Sequence, residues 1–383
     1  MYKINKDIEN FISFRKILHQ NPELSGAELE TKERIRNFIA RFNPDEILEV
    51  GKTGLIFRFD GKENGQSILI RAELDALPIQ EINDFEYKSN KPGISHKCGH
   101  DGHMTILARL AWLLSKNPPN KGKVYLLFQP AEENGMGAKE VYQDIEFQKL
   151  SIDAVVALHN LPGFPLHQIC IKEAAFTPAV TSVIIKYTGK TSHAAEPELG
   201  LNPAAAMAEL IQKSLALSIP HVEKDNFYLV TPVYMNMGEQ SYGVSAGYGE
   251  VHLTVRAWDN QLLQEQTEQL EQSAKNIAAQ HQLQIELQRT QEFQANLNDK
   301  QMVGLIEQAS KSLNLDIYNL KNPMKWGEDF GLFTEHYKGC MFGLGAGVEL
   351  PALHNPDYDF PDELIETGSN IFEEIIKLFL NEK

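Results

Sequence analysis

Two spacings of apolar residues alternate along the chain and predict helices and strands in turn. Apolar residues three or four positions apart predict two helices within the first forty residues and another over residues 104–114. Short, almost wholly apolar runs predict buried strands at residues 54–59, 67–71, 123–129 and 154–158. Asn64 and Gly65 lie between the first two of these strands, so we expect a hairpin there.

The pattern changes in the middle of the chain. From about residue 179 the predicted order is β-α-β-β-α-β, which is that of a ferredoxin-like unit. After about residue 290 the α/β pattern resumes and ends in a helix over residues 361–380. We therefore expect an α/β domain made of residues 1–177 and 290–383, with an α+β domain of residues 178–289 inserted into it.

Composition narrows the class of protein. A length of 383 residues favours two domains, and a formal net charge of −16 argues against nucleic acid or an anionic membrane as a partner. The three cysteines include no Cys-x-x-Cys pair, which suits a reducing compartment. The first residues predict a charged amphipathic helix without the apolar core of a signal peptide, and no apolar run is long enough to span a bilayer. We expect a cytoplasmic protein.

Residues 94–103 concentrate metal-binding side chains just before a predicted helix. Cys98 and His100 are two positions apart, so in an extended segment both side chains point to one side. A helix N-terminus also favours a thiolate. A metal site needs further ligands from elsewhere in the chain. Taken alone, the segment is equally compatible with a polar turn that carries scattered histidines.

Other candidate ligands and bases follow the predicted buried strands. Asp75 follows one strand, Glu132 and Glu133 follow the next, and His159 follows a third. Sites in open α/β sheets lie at the carboxyl ends of strands, where one glutamate can bind a metal while its neighbour transfers a proton. Each carboxylate could instead lie in an exposed acidic turn. That alternative is less favoured because candidate ligands or bases follow several of the predicted strands.

Three further residues stand out. His193 lies in a predicted loop of the inserted domain, Arg256 lies in an otherwise apolar strand of that domain, and His354 precedes a turn broken by Pro356. The alternatives are a surface histidine for His193 and an arginine at the edge of a sheet, with its head in water, for Arg256.

Six segments, taken together, resemble the amidohydrolase branch of the dinuclear metallopeptidases. That branch includes N-acyl-amino-acid amidohydrolases, hippurate hydrolases and auxin-conjugate hydrolases. The segments are RAELDALP at residues 71–78, HKCGHDGH at 96–103, QPAEE at 129–133, HN at 159–160, GKTSHAA at 189–195 and LH at 353–354. The resemblance covers nearly the whole chain. It implies a zinc-peptidase-like catalytic domain with a mixed sheet and an inserted ferredoxin-like lid.

The resemblance also implies a metal centre with two divalent ions. In it, Cys98 bridges the ions, His100 and His159 hold one of them, and Glu133 and His354 hold the other. Zinc and manganese are the first candidates for the ions; cobalt and nickel remain open.

The remaining roles implied by the resemblance concern catalysis and the substrate. Glu132 is the general base toward a metal-activated water, and Asp75 orients His100. His193 stabilises the developing oxyanion, and Arg256 binds a substrate carboxylate.

Three positions depart from the family pattern. Glu73 replaces the usual aspartate, Gly243 stands where the lid usually has an asparagine, and Gly327 replaces a serine. The metal ligands implied by the resemblance are all present. We therefore expect the three departures to affect the choice of substrate and the catalytic rate.

We therefore expect a metal-dependent hydrolase of N-acyl-amino acids or similar amides. A dipeptidase or carboxypeptidase is the alternative within the class, and a non-catalytic ligand-binding protein is the alternative outside it. The retained Glu132 argues against a binding protein, and the single cysteine in the set argues against a structural zinc site. A homodimer through an edge strand of the lid is also expected.

Overall fold

The computed structural model describes residues 6–381, so the predicted start of the first helix at residues 1–5 lies outside the described residues. The α-helices are α1 (Lys6–Gln20), α2 (Leu29–Ile39), α3 (His100–Lys116), α4 (Gly137–Tyr142), α5 (Ile145–Gln148), α6 (Ala204–Ala216), α7 (Asn260–Gln280), α8 (Lys300–Ser312), α9 (Gly331–His336) and α10 (Leu364–Phe379). The strands are β1 (Glu46–Val50), β2 (Gly54–Asp60), β3 (Glu63–Glu73), β4 (Lys121–Gln129), β5 (Ala154–Pro162), β6 (Ile169–Ile171), β7 (Ala174–Thr177), β8 (Ala179–Thr188), β9 (Ser192–His193), β10 (Tyr228–Met237), β11 (Val244–Ser245), β12 (Tyr248–Ala257), β13 (Gln284–Phe293), β14 (Asn296–Asn298), β15 (Ile317–Asn319) and β16 (Lys338–Gly347). Within the described part of the chain, no helix is both long and apolar enough to cross a membrane.

The chain forms two compact units. The first contains the chain up to Phe176, Asn296–Lys321 and the chain from Glu328 onward. The second contains Thr177–Ala295 and Asn322–Gly327. The predicted assignment of catalytic and lid roles to residues 1–177, 178–289 and 290–383 stays a prediction.

The first unit is built on a mixed sheet, which confirms the predicted fold class. Within the described residues the sheet has eight strands in the order β1-β2-β4-β3-β5-β16-β6-β15. Strands β4, β3, β5 and β16 run parallel to one another at its centre. Their apolar runs, such as Val124 to Phe128 on β4, are buried because the chain covers both faces of the sheet. Residues of α1, α3, α8 and α10 share one apolar core with these strands.

The predicted hairpin between residues 54–59 and 67–71 is wrong. β4 lies between β2 and β3, pairing antiparallel with β2 and parallel with β3. An interior position buries both apolar faces of β4, whereas a β2–β3 hairpin would leave it at an edge. Asn64 and Gly65 lie inside β3. The hairpin at this end of the sheet joins β1 to β2, with Gly51 in the turn at φ 57° and Val50 opposite Gly54.

The second unit has the predicted order of elements, β8-α6-β10-β12-α7-β13. Its four long strands form an antiparallel sheet in the order β10-β12-β8-β13, the arrangement of a ferredoxin-like unit. Alternate residues of the strands, such as Val183 and Leu253, are buried against the apolar sides of α6 and α7. Asp259 caps α7 by accepting a hydrogen bond from the backbone N–H of Leu262.

Candidate metal centre

Parallel strands bring the predicted ligand segments to one edge of the sheet. β3 ends at Glu73, two residues before Asp75, and β4 ends at Gln129, shortly before Glu132 and Glu133. His159 lies in the carboxyl-terminal half of β5. Because these strands are parallel neighbours, their carboxyl ends meet at one place, as the sequence predicts.

Two groups of side chains share Cys98. Potential ligand atoms of Cys98, His100 and His159 lie within 4.8 Å of one another, and so do those of Cys98, Glu133 and His354. Sγ of Cys98 lies 3.5 Å from Nε2 of His159, and Oε1 of Glu133 lies 3.7 Å from Nε2 of His354. Tetrahedral ligands bound 2.0–2.3 Å from an ion are about 3.3–3.8 Å from one another. Both groups therefore have the spacing of metal ligands.

The imidazoles of His100 and His159 are oriented by backbone carbonyls. Nδ1 of His100 donates to the carbonyl of Asp75, and Nδ1 of His159 donates to the carbonyl of Asn160, each at 2.9 Å. A carbonyl only accepts, so in neutral rings the lone pair is on Nε2, as in metal-binding histidines. Within residues 6–381, Nε2 of His100 and Oε1 of Glu133 are buried without a hydrogen-bond partner. These donor atoms and their chemistry fit a divalent metal ion.

The expected extended geometry of Cys98 and His100 is wrong, although the two side chains do meet. Helix α3 begins at His100, and Gly99 precedes it with φ 96°. A Cβ on Gly99 would lie 2.7 Å from Oδ1 of Asn160, so glycine satisfies both the backbone conformation and the close approach. The two ligands converge across a glycine turn rather than along an extended segment.

Without metal ions, the negatively charged groups at the site repel one another. Burial, and then the carboxylates of Glu133 and Glu132, raise the pKa of the Cys98 thiol well above its usual value, so the helix N-terminus does not dominate as the sequence suggests. Burial, and then the charge of Glu328, also raise the pKa of Glu132. A cation among these groups would favour the thiolate and the carboxylates.

Asp75 contacts both sides of the centre. Its carbonyl accepts from His100, while its Oδ1 is 3.5 Å from the same Nδ1. Its Oδ2 accepts from the backbone N–H of Glu133 at 3.0 Å and from the hydroxyl of Ser25 at 2.6 Å. The backbone of Asp75 therefore orients His100, and its carboxylate fastens the segment that carries Glu133.

Glu132 and His354 lie beside these contacts. Oε2 of the buried Glu132 is 3.9 Å from Nε2 of His100. His354 has φ 67° and donates its backbone N–H to the carbonyl of Lys97 at 2.8 Å, which ties the last predicted ligand to the segment before Cys98.

Other groups meet the same distance criterion but have different surroundings. Nδ1 of His103 lies 2.7 Å from Glu73, and its Nε2 lies 2.5 Å from Oδ1 of Asn160. Both ring nitrogens of His19 are likewise hydrogen-bonded, to Asp101 and Glu81. These histidines have both nitrogens engaged, so the groups sharing Cys98 are the better metal candidates. The departure Glu73 lies against His103.

The second unit contains His193 and Arg256. Nδ1 of the exposed His193 accepts from the backbone N–H of Ala195 at 3.1 Å, which leaves the proton of the neutral ring on Nε2, available to donate. Arg256 lies on the interior strand β12, and its Nε donates to the carbonyl of Lys325 at 3.1 Å. Their roles toward a substrate stay predictions.

The other departures also lie in the second unit. Gly243 accepts at its carbonyl from the N–H of Ala194, next to His193. A Cβ on Gly327 would approach Val180 at 3.2 Å and Phe293 at 3.3 Å, so the space there favours glycine.

Sequence reasoning missed a buried ion network around Arg71. Its guanidinium contacts Glu73, Glu328 at 2.8 Å and Asp329 at 2.7 Å. Asp329 in turn accepts from the amide of Gln129 at 2.9 Å. An arginine inside an apolar strand was a usable signal, since a buried guanidinium requires carboxylate partners. Two of its partners, Glu328 and Asp329, lie more than 250 residues away, which no local pattern reveals.

Comparisons with known proteins identify the family of the chain. Residues 69–378 match Peptidase family M20/M25/M40. The chain is 29% identical over 376 residues to a hippurate hydrolase of Campylobacter jejuni, covering 97% of this chain and 96% of the relative. It is 31% identical over 373 residues to an N-acetylcysteine deacetylase of Bacillus subtilis, covering 96% of each.

Solved structures give the same result. A Bacillus subtilis protein described as a dinuclear metal binding peptidase from the M20 family superposes with a TM-score of 0.83 at 29% identity, over 99% of this chain and 100% of that one. A Staphylococcus aureus protein described as a putative aminohydrolase has a TM-score of 0.87 at 23% identity and shows the shared fold. The chain thus belongs to Peptidase family M20/M25/M40 and is a hydrolase of its amidohydrolase branch.

Proposed function

We propose that the protein hydrolyses the amide bond of N-acyl-amino acids or similar amides in a metal-dependent reaction, with Glu132 as the general base. The observation that carries this proposal is the pair of ligand groups that share Cys98, with the buried carboxylate of Glu132 next to both.

In this proposal the protein holds two divalent ions. Cys98, His100 and His159 hold one ion, and Cys98, Glu133 and His354 hold the other. Zinc or manganese suits this mixture of thiolate, imidazole and carboxylate; cobalt and nickel are the alternatives. When bound, the ions lower the pKa of a water molecule and polarise the substrate carbonyl.

The protein's own groups transfer the proton. Glu132 accepts a proton from the attacking water and returns it to the leaving nitrogen, because an amide anion is a very poor leaving group. Burial raises the pKa of Glu132 above its usual value, which suits a group that must both accept and donate a proton. Asp75 accepts hydrogen bonds from His100 and from Glu133, the neighbour of Glu132 in sequence. These bonds keep both ligands in a fixed position relative to the base.

The relatives' names and two side chains of the second unit support the proposed substrate class. The relatives are named for hippurate, N-acetylcysteine and N-acetyldiaminopimelate, which are all N-acylated amino acids. Such substrates carry a carboxylate, for which Arg256 is the proposed partner. His193, with its proton on Nε2, is the proposed donor to the developing oxyanion. The second unit acts as the lid in this scheme.

We also propose a cytoplasmic homodimer that forms through β10. This strand is at one edge of its sheet, and its side chains Val233, Tyr234 and Met235 are about half exposed. An apolar edge strand is suited to pair with a second copy.

The test begins with metal analysis of the purified protein. The apoprotein, reconstituted separately with zinc, manganese, cobalt and nickel, is then assayed on N-acyl-amino acids and on dipeptides with the same carboxyl-terminal residue. We expect faster turnover of the acylated amino acids with at least one metal. Faster turnover of dipeptides with every metal would replace the proposal with a dipeptidase.

A further inference from the structure

Glu28 is a buried carboxylate that contacts the segment carrying Glu132. Its side chain has no exposed surface, and hydrogen bonds from three neutral groups hold it. Its Oε1 accepts from the backbone N–H of Gly26 at 2.8 Å and of Ala131 at 2.9 Å. Its Oε2 accepts from the hydroxyl of Thr53 at 2.6 Å. Burying a carboxylate is unfavourable, so a carboxylate held by neutral donors calls for an explanation beyond packing.

Ala131 has an unusual backbone conformation. Its φ is 51°, in the left-handed region that disfavours residues with a Cβ. It follows Pro130 and directly precedes Glu132, and its carbonyl accepts from the N–H of Gly137 at 2.9 Å. A return of Ala131 to negative φ would turn the chain and redirect the side chain of Glu132. The contact with Glu28 therefore stabilises the conformation on which the direction of Glu132 depends.

Other contacts fasten the same segment at later points. Asp75 accepts from the N–H of Glu133, and Asp329 accepts from the N–H of Ala138 at 2.8 Å. Both of these contacts are with residues that follow Glu132 in the sequence, whereas Glu28 contacts the residue that precedes it. Loss of the Glu28 contact should therefore disturb Glu132 more than the ligand Glu133, whose backbone Asp75 still holds.

We propose that Glu28 is a positioning residue for Glu132: it holds Ala131 in the left-handed conformation that aims the general base. This inference rests on the proposed function of Glu132.

Two substitutions of similar size separate the hydrogen bond from the charge and the packing. In Glu28→Gln the Oε1 atom still accepts from Ala131 and Gly26, while the new amide donates to Thr53, whose hydroxyl can accept. Glu28→Met has about the same length but no strong acceptor. Both remove the negative charge, so a difference between them reports the acceptor.

Glu23 offers a matched control. It is also buried, and its Oε2 accepts from the N–H and hydroxyl of Thr31 at the start of α2, at 2.8 and 2.9 Å. Glu23→Met removes these bonds in the same part of the chain and should lower stability without reaching the segment of Glu132.

The experiment measures kcat and KM of each metal-loaded protein, together with its metal content and hydrogen–deuterium exchange over residues 129–137. For Glu28→Met we expect a fall in kcat of at least ~10-fold, little change in KM or metal content, and faster exchange over residues 129–137. Glu28→Gln and Glu23→Met should keep kcat within about twofold and exchange unchanged. Equal kcat in Glu28→Met and Glu28→Gln, or an equal fall in Glu23→Met, would overturn the inference.

The exchange measurement separates this inference from the proposed function. If the unmodified metal-loaded protein cleaves no amide, the proposed function fails; faster exchange in Glu28→Met alone would then still support the structural role, and unchanged exchange would overturn it. If Glu28→Met does not fold, Thr53→Val replaces it with Thr53→Ser as its control. Thr53→Val removes the hydroxyl that holds Oε2, and the same ordering of kcat and exchange is required.

Discussion

Oδ2 of Asp75 accepts a hydrogen bond from the backbone N–H of Glu133, with 3.0 Å between the two atoms. The carbonyl of the same aspartate accepts from Nδ1 of His100. Asp75, two residues beyond the end of β3, thus connects two segments that carry proposed ligands, and the affinity for metal should depend on it.

The first prediction follows from that connection. Asp75→Ala should weaken metal binding by about 10- to 100-fold, because Glu133 loses its backbone anchor. Asp75→Asn should weaken it less, because the amide oxygen can still accept from Glu133 and Ser25. Chelator-competition titrations measure both affinities. Equal affinities in Asp75→Ala and the unmodified protein would contradict the anchoring role.

The second prediction concerns the two ligand groups. His159→Ala and His354→Ala should each lower the metal content toward one ion per chain, while Cys98→Ser should lower the occupancy of both ions. Cys170→Ser, at another buried cysteine, is the control. Metal analysis after exhaustive dialysis gives the stoichiometry. Normal stoichiometry in all three ligand variants would remove the proposed site.

A third prediction concerns the pH dependence of stability. The titratable side chains that face His19 are Arg15, Glu81, Tyr87, His96, Asp101 and Asp359. Burial lowers the pKa of His19, but Asp101 and Glu81 outweigh burial and raise the pKa from 6.5 to about 9. A raised pKa means that the folded state holds the proton more tightly. The resulting stabilisation, on the order of 3 kcal/mol, is complete below pH 6.5 and is lost as the pH rises through 9.

His19→Gln removes this titration. Urea unfolding in the presence of a chelator, at pH 6 and pH 9.5, should show a larger loss of stability from the substitution at the lower pH. The comparison of two proteins at each pH cancels the titration of other groups. A loss that is the same at both pH values, or larger at pH 9.5, would show that His19 does not bind its proton as described.

The fourth prediction tests the proposed dimer. A lysine in an apolar edge strand opposes pairing with another chain, so Val233→Lys should convert the dimer to a monomer. Gln284→Lys, on the opposite edge strand β13, should leave it intact. Light scattering across a range of concentrations measures the mass. A monomer at high concentration in the unmodified protein would exclude the dimer.

The parts of the fold that the sequence predicts are those with local causes. Apolar runs indicated β4 and β5 because strands buried on both faces need no polar side. The order of elements in the second unit was also readable from spacing alone. The partners of each strand were not, since pairing depends on the whole sheet; the turn at Asn64 and Gly65 therefore suggested a hairpin that β4 prevents.

The candidate site likewise has features that the sequence indicates locally and features that depend on distant residues. The sequence indicated Cys98, just before a predicted helix, and His159 and Glu133, after predicted strands, as candidate ligands, and the structure brings their ligand atoms together in groups that share Cys98. The contacts that orient them were not readable. The carbonyl of Asp75 that holds His100, and the carboxylate of Glu28 that holds Ala131, act through the backbone or across long separations in sequence.

The most direct test of Glu132 as the general base is the turnover of Glu132→Gln in metal-loaded protein. Glutamine keeps the size of the side chain but cannot accept a proton from water. The substitution should leave the fold and both metal ions in place while kcat on an N-acyl-amino acid falls by at least ~10²-fold. Glu133→Gln, at the neighbouring ligand, should instead weaken metal binding. Retention of most of the turnover by Glu132→Gln, with its metals bound, would contradict the assignment of Glu132 as the base.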